Sequence, residues 1–181
     1  MASSSKAMRQ NQSQRQATGE LARGKPARSL LSRAIALLAR RDHSRAELSR
    51  KLARYLDQPD DAHQPDDADQ LASVLDELDR NGLLSDERFA AAVARSRSNR
   101  FGDARIRHDL RRFGVANDVS VAALTTLAGS EVARASEVWS RRFKALPASA
   151  AEHAKQARFL QSRGFSFDSI LQVLRGRTSS S

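Results

Sequence analysis

The side chains of this sequence best placed to do chemistry are its arginines. Between Arg88 and Arg112 eight arginines stand against only Asp103 and Asp109, a local net charge of +6. A guanidinium is planar, permanently charged and presents a fork of donors that matches a phosphate or a carboxylate with two parallel hydrogen bonds. A second cluster comprises Arg40, Arg41, Arg45, Arg50, Lys51 and Arg54. This density points to binding of anions. It leaves open whether those anions are nucleic-acid phosphates, an acidic protein surface, or only the solvent around a charged helix face.

Other chemistries find no support. The histidines, His43, His63, His108 and His153, are scattered, and no two are spaced i, i+4 on one helix. His63 lies among Asp60, Asp61, Asp66 and Asp67, a setting that reads as a solvated acidic loop before it reads as a cation site. There is no cysteine, which removes thiolate nucleophiles, disulfides and cysteine-ligated zinc. No phosphate-binding loop, dinucleotide fingerprint or nucleophile elbow occurs. The chain is therefore expected to be no enzyme and to need no cofactor or metal. The seven Phe fall mostly at core-facing positions, and Tyr55 and Trp139 are isolated, so base-stacking platforms are weak.

The elements that must carry these arginines are helices. Ala, Leu and Arg dominate, β-branched runs are absent, and the chain of 181 residues carries a net charge of +10. No apolar run approaches the roughly 18–20 residues of a membrane span, and the basic N-terminus lacks the apolar stretch of a secretory signal. A cytoplasmic, monomeric protein without membrane contact is expected. Residues 1–28, with six basic residues and one acid, read as a flexible basic arm. Helical periodicity begins at Ser29 with Leu30, Leu31, Ala34, Ile35, Leu37 and Leu38. Ser44 and Glu47 suit a capping box ahead of a helix burying Leu48 and Leu52.

Two prolines and six aspartates make residues 57–69 an acidic loop. Further helices are expected over 68–81, 85–98 (Ser85 as N-cap, Leu84 stapled to Phe89), 103–113, 118–127, 131–143, 149–163 and 167–175, then a frayed tail over 177–181. An internal repeat is visible in the residues that follow Arg41 and Arg163. Ser44, Leu48 and Leu52 lie three, seven and eleven residues past Arg41, and Ser166, Ile170 and Leu174 lie likewise past Arg163. A middle copy starts at Arg100, with Ile106 and Leu110 one residue early. The reading is all-α: three tandem three-helix repeats over 29–82, 83–128 and 129–176, stacked as an elongated, curved helical array.

Three blocks then carry a family likeness: ALLARRDHSRAELSRKL (36–52), LDELDRNGLLSDERFAAAVARSRSNRFGDARIRHDLRRFGV (75–115) and RFLQSRGFSFDSILQVL (158–174). In this order they closely resemble the RecX regulatory family over about residues 30–175. The resemblance implies three tandem three-helix repeats, no catalysis, and binding to the active RecA filament, in its helical groove. It further implies inhibition of strand exchange, ATP hydrolysis and the coprotease function that triggers the SOS response. The arm and the acidic insertion depart from the family pattern. On charge alone, the expected contact residues are Arg41, Arg45, Lys51, Arg95, Arg97, Arg105, Arg107 and Arg111, meeting RecA filament carboxylates or exposed phosphates. Single-stranded DNA would be met indirectly or weakly. A direct DNA-binding helix-turn-helix regulator is the alternative, since a tight turn before a capped helix is also what that motif offers.

Overall fold

The computed structural model describes residues 29–56 and 67–176. The expected basic arm, residues 57–66 of the acidic loop and the tail at 177–181 lie outside the described residues. Within them the chain forms helices α1 (Leu30–Leu38), α2 (Arg45–Leu56), α3 (Asp67–Arg80), α4 (Asp86–Ser98), α5 (Asp103–Arg112), α6 (Asn117–Thr125), α7 (Glu131–Ser140), α8 (Ala150–Ser162) and α9 (Phe167–Leu174), and no strand. None is long and apolar enough to cross a membrane. Six starts are fixed by serine N-caps: Ser29, Ser44, Ser85, Ser130, Ser149 and Ser166 each accept from the amide three residues on. Each such cap contributes about 1 kcal/mol.

The buried apolar side chains fall into three clusters, each supplied by three consecutive helices. Ala34, Leu48, Leu52, Leu75 and Leu78 form the first. Phe89, Ala94, Ile106, Leu110 and Ala123 lie in the second, and Val132, Val138, Leu160, Ile170 and Leu174 in the third. The close helix pairings likewise lie within α1–α3, α4–α6 and α7–α9. The architecture is the all-α array of three-helix repeats.

Four details differ from expectation. α3 begins at Asp67, so Asp67 and Asp69 belong to a helix and not to the acidic loop expected over 57–69; the Asp69 carboxylate in the first turn meets the positive end of the helix dipole. Leu84 is buried in the first cluster, beyond the boundary expected at residue 82. It is not stapled to Phe89, whose ring meets Phe113 edge-on at 5.3 Å. Ser44 caps the amide of Glu47 at 3.1 Å, but Glu47 does not complete a capping box and is taken up by Arg41. The repeat register also shifts: the Arg41 and Arg100 copies head α2 and α5, second helices of their units, whereas the Arg163 copy heads α9, a third helix. Counted from the caps Ser44 and Gly102, the buried pairs Leu48/Leu52 and Ile106/Leu110 fall in the same register. Any capped helix burying one face shows this spacing, which is why α9 imitates it.

The units are joined through helix ends. At the start of α5 the amides of Gly102, Asp103 and Ala104 donate to Arg163 O (3.0 Å), Glu131 Oε1 (3.0 Å) and Gly164 O (3.2 Å) of the third unit. A Cβ on Gly102 would collide with the backbone of Gly164 and Phe165, and Gly164 itself turns with φ +81° against Arg105. The first junction is built alike. The Arg45 amide donates to Asp86 Oδ1 at 2.8 Å, the buried Ser44 hydroxyl donates to Phe113 O at 2.6 Å, and Gly114 abuts Ala46.

Glu131 is the hub of the second junction. It also accepts from the hydroxyls of Ser166 (2.5 Å) and Ser169 (2.7 Å), and buried Arg134 pairs with neighbouring Asp103. Burial disfavours the Glu131 carboxylate, but the bonds from Ser166, the Asp103 amide and Ser169 outweigh it and hold its pKa below the ordinary 4.5. Burial raises the pKa of Asp103 despite Arg134. The Glu131 contribution is therefore full above pH 4.5 and is lost as pH falls through its lowered folded value, while Asp103 works in the opposite sense. Glu131→Gln is expected to lower stability by about 1–3 kcal/mol at neutral pH. Urea unfolding of both proteins should show the difference shrinking as the medium is acidified below pH 4.5.

Candidate partner-binding surface

The eight cations singled out by charge divide into two groups. In the first unit Arg41 grips Glu47 with both terminal nitrogens, at 3.0 and 2.5 Å, and Lys51 Nζ approaches the same carboxylate at 3.3 Å. Burial disfavours ionised Glu47, but hydrogen bonds from Arg41 and Lys51 prevail and lower its pKa. Lys51 also lies 2.9 Å from Nε2 of His43, whose Nδ1 is 2.9 Å from Arg41 O. These contacts fit a neutral imidazole with its proton on Nδ1. Burial lowers the His43 pKa against the opposing effect of the carbonyl bond, which agrees with that state. Arg45 pairs with Asp76 of α3, with Asp79 at 3.9 Å.

In the second unit Ile106, Asp109 and Leu110 form the inward stripe of α5. Asp109 is 5% exposed and is held by Arg97 from α4 and by Arg105 at 3.7 Å. Placing a carboxylate on the buried stripe costs solvation, and the two guanidiniums offset it. Arg41, Arg45, Lys51, Arg97 and Arg105 are thus engaged by the chain's own acids.

Arg95, Arg107 and Arg111 are exposed and form no ion pair among the described residues. Arg107 and Arg111 stand one turn apart on α5, so their side chains share a face. Their forks remain available for an external carboxylate or phosphate. Nothing in this surface places a nucleophile against a base; what it offers is anion binding.

Sequence reasoning did not single out the acids that divide the arginines, since Asp109 shows itself only as an apolar-stripe position occupied by a carboxylate. Arg88 is held by Asp42 at 2.9 Å and by the carbonyls of Gly82 and Leu83, and Arg134 is buried at 8% exposure. Arg141, Arg142 and Arg163 were also missed; together with Arg100 they gather around a cleft between the second and third units. Only the fold assembles that group, because the residues come from three separate helix ends. Trp139 packs against the third core and donates to Gln156 Oε1 at 2.7 Å, a core role rather than a stacking platform.

In urea unfolding, Asp109→Ala is expected to cost about 1–3 kcal/mol by stranding Arg97 and Arg105, while Arg107→Ala and Arg111→Ala stay within about 0.5 kcal/mol of the parent.

Comparison with known proteins agrees with this architecture. Residues 85–124 match the model of the RecX second three-helix domain, and residues 130–174 that of the RecX third three-helix domain. The Regulatory protein RecX of Leptothrix cholodnii is 46% identical over 155 residues, covering 86% of this chain and 93% of that protein. That of Ralstonia nicotianae is 40% identical, covering 82% and 87%. The crystal structure of RecX from Lactobacillus salivarius superposes with a TM-score of 0.68 over 82% of this chain and 94% of that one; at 20% identity it speaks for the fold. The chain belongs to the RecX family of regulatory proteins.

Proposed function

We propose that this chain binds the RecA filament on single-stranded DNA and restrains its recombinase, ATPase and coprotease activities, without cofactor or catalysis. The carrying observation is that Arg95, Arg107 and Arg111, exposed on α4 and α5 of a member of a regulatory family, form no ion pair among the described residues, the Asp103 carboxylate acting on Arg107 only through space. Arg41, Arg45, Lys51, Arg97 and Arg105 reach a partner only in exchange for, or alongside, their present acids.

In this reading the monomeric chain lies in the filament groove and bridges neighbouring RecA protomers. It thereby obstructs entry of a homologous duplex and disturbs the cooperative ATP cycle. DNA is met through the filament, indirectly or weakly, and the setting is the cytoplasm, where RecA works.

The test is single-stranded-DNA-dependent ATP hydrolysis by the cognate RecA at rising ratios of this protein. Inhibition well below one molecule per RecA protomer is expected, with an Arg107→Glu/Arg111→Glu double variant at least about tenfold weaker and unchanged in helical circular dichroism; tenfold corresponds to about 1.4 kcal/mol of binding. No inhibition at equimolar protein overturns the reading. Sequence-specific duplex binding without RecA would replace it with the direct DNA-binding regulator.

A further inference from the structure

A cleft of about 300 Å³ opens between the second and third units, away from Arg107 and Arg111 in its lining. Arg100 borders it from the turn after α4, Arg141 and Arg142 from the end of α7, and Arg163 from the end of α8; Phe101 and Phe159 supply apolar surface. The Arg163 guanidinium carbon sits over the Phe159 ring, 3.9 Å from its centroid, and that of Arg100 lies 5.4 Å from the Phe101 centroid. Arg141 donates to Asn99 O at 3.0 Å and has exposed Glu137 at 3.5 Å. Among the described residues that is the carboxylate paired with these four guanidiniums, so most of the charge is unspent.

The ends of α4, α7 and α8 meet here, at the C-caps Asn99, Arg141 and Arg163. Helix C-termini contribute negative potential, so the cleft attracts an anion only through its arginine side chains. Arg163 and Arg100 are partly pre-ordered by the rings beneath them, which reduces the entropy lost on binding.

We infer that this cleft docks an acidic segment of a protein partner, in which a carboxylate side chain meets the arginines and an adjacent apolar side chain covers the phenylalanines. The volume suits one or two side chains, and an apolar floor with a cationic rim is the pattern of an anchoring pocket in a protein interface. A nucleic-acid strand fits less well. Its phosphodiester has nothing apolar for the floor, and the guanidiniums occupy the ring faces that bases would stack upon. The assignment does not depend on which protein supplies the segment.

The probe is a dye-labelled synthetic peptide alternating glutamate with leucine, titrated with the full chain and followed by fluorescence anisotropy. Saturable binding is expected. It should weaken at least about tenfold for an all-glutamate peptide, which lacks the apolar anchor, and for Arg100→Glu/Arg142→Glu, whose guanidiniums form no hydrogen bond among the described residues. Arg107→Glu/Arg111→Glu should bind within about twofold of the parent. As a check independent of charge reversal, Arg142→Leu should weaken the alternating peptide and leave helical circular dichroism unchanged.

Equal binding of the two peptides, or full binding by both cleft variants, overturns the inference. So does a thymidine oligonucleotide that binds more tightly than the peptide and loses its affinity in the cleft variants. A chain that binds the peptide through the cleft yet leaves RecA uninhibited would support the cleft while overturning the filament reading.

Discussion

Three consecutive amides at the start of α5 have no acceptor in their own unit. A helix begins with donors that cannot bond within it, and the usual remedy is a side-chain cap from the preceding residue. Here that residue is Gly102, which has no side chain, and the acceptors come from Glu131, Arg163 and Gly164 of the next unit. The missing side chain is also what lets the backbones approach, since a Cβ at Gly102 would occupy the space of Gly164 and Phe165. One helix of each of the first two units is thus completed by its neighbour, and the array's geometry follows from that requirement.

The charges are organised on this frame. Acids at the starts of α4 and α7, Asp86 and Glu131, accept across the junctions. Asp109 and Glu47 tie down Arg97, Arg105, Arg41 and Lys51 inside the units. A net basic chain therefore presents a smaller set of unengaged arginines than its composition suggests, and fixed joints hold that set in a defined arrangement. In the proposed reading, where the partner is a filament, spacing between contact points matters as much as their charge, because linked contacts reinforce one another only when geometry allows simultaneous engagement.

Much of this was legible in the sequence. Helical periodicity and serine caps located the helices, and the spacing of buried leucines revealed repetition. The repeat pointed to a chain of three-helix units, and the motif blocks led to the family. What could not be read were relations between distant segments. Leu84 lies within a block that looks like the opening of the second unit, yet its side chain completes the first core. The Arg163 copy looked equivalent to the Arg41 copy because capped amphipathic helices share a spacing whatever their place in a unit. The division of the arginines depended on Asp109, which sequence spacing places on the inward face without naming its partners.

The junction at Gly102 holds the second and third units in one fixed arrangement. The absence of native cysteine makes a direct distance measurement clean. Spin labels attached through Ser96→Cys on α4 and His153→Cys on α8, both exposed, report that arrangement by pulsed electron paramagnetic resonance. The parent junction should give one narrow distance distribution. Adding Gly102→Leu should broaden it while helical circular dichroism is retained. A broad distribution in the parent, or an unchanged narrow one in the Gly102 variant, would contradict the claim.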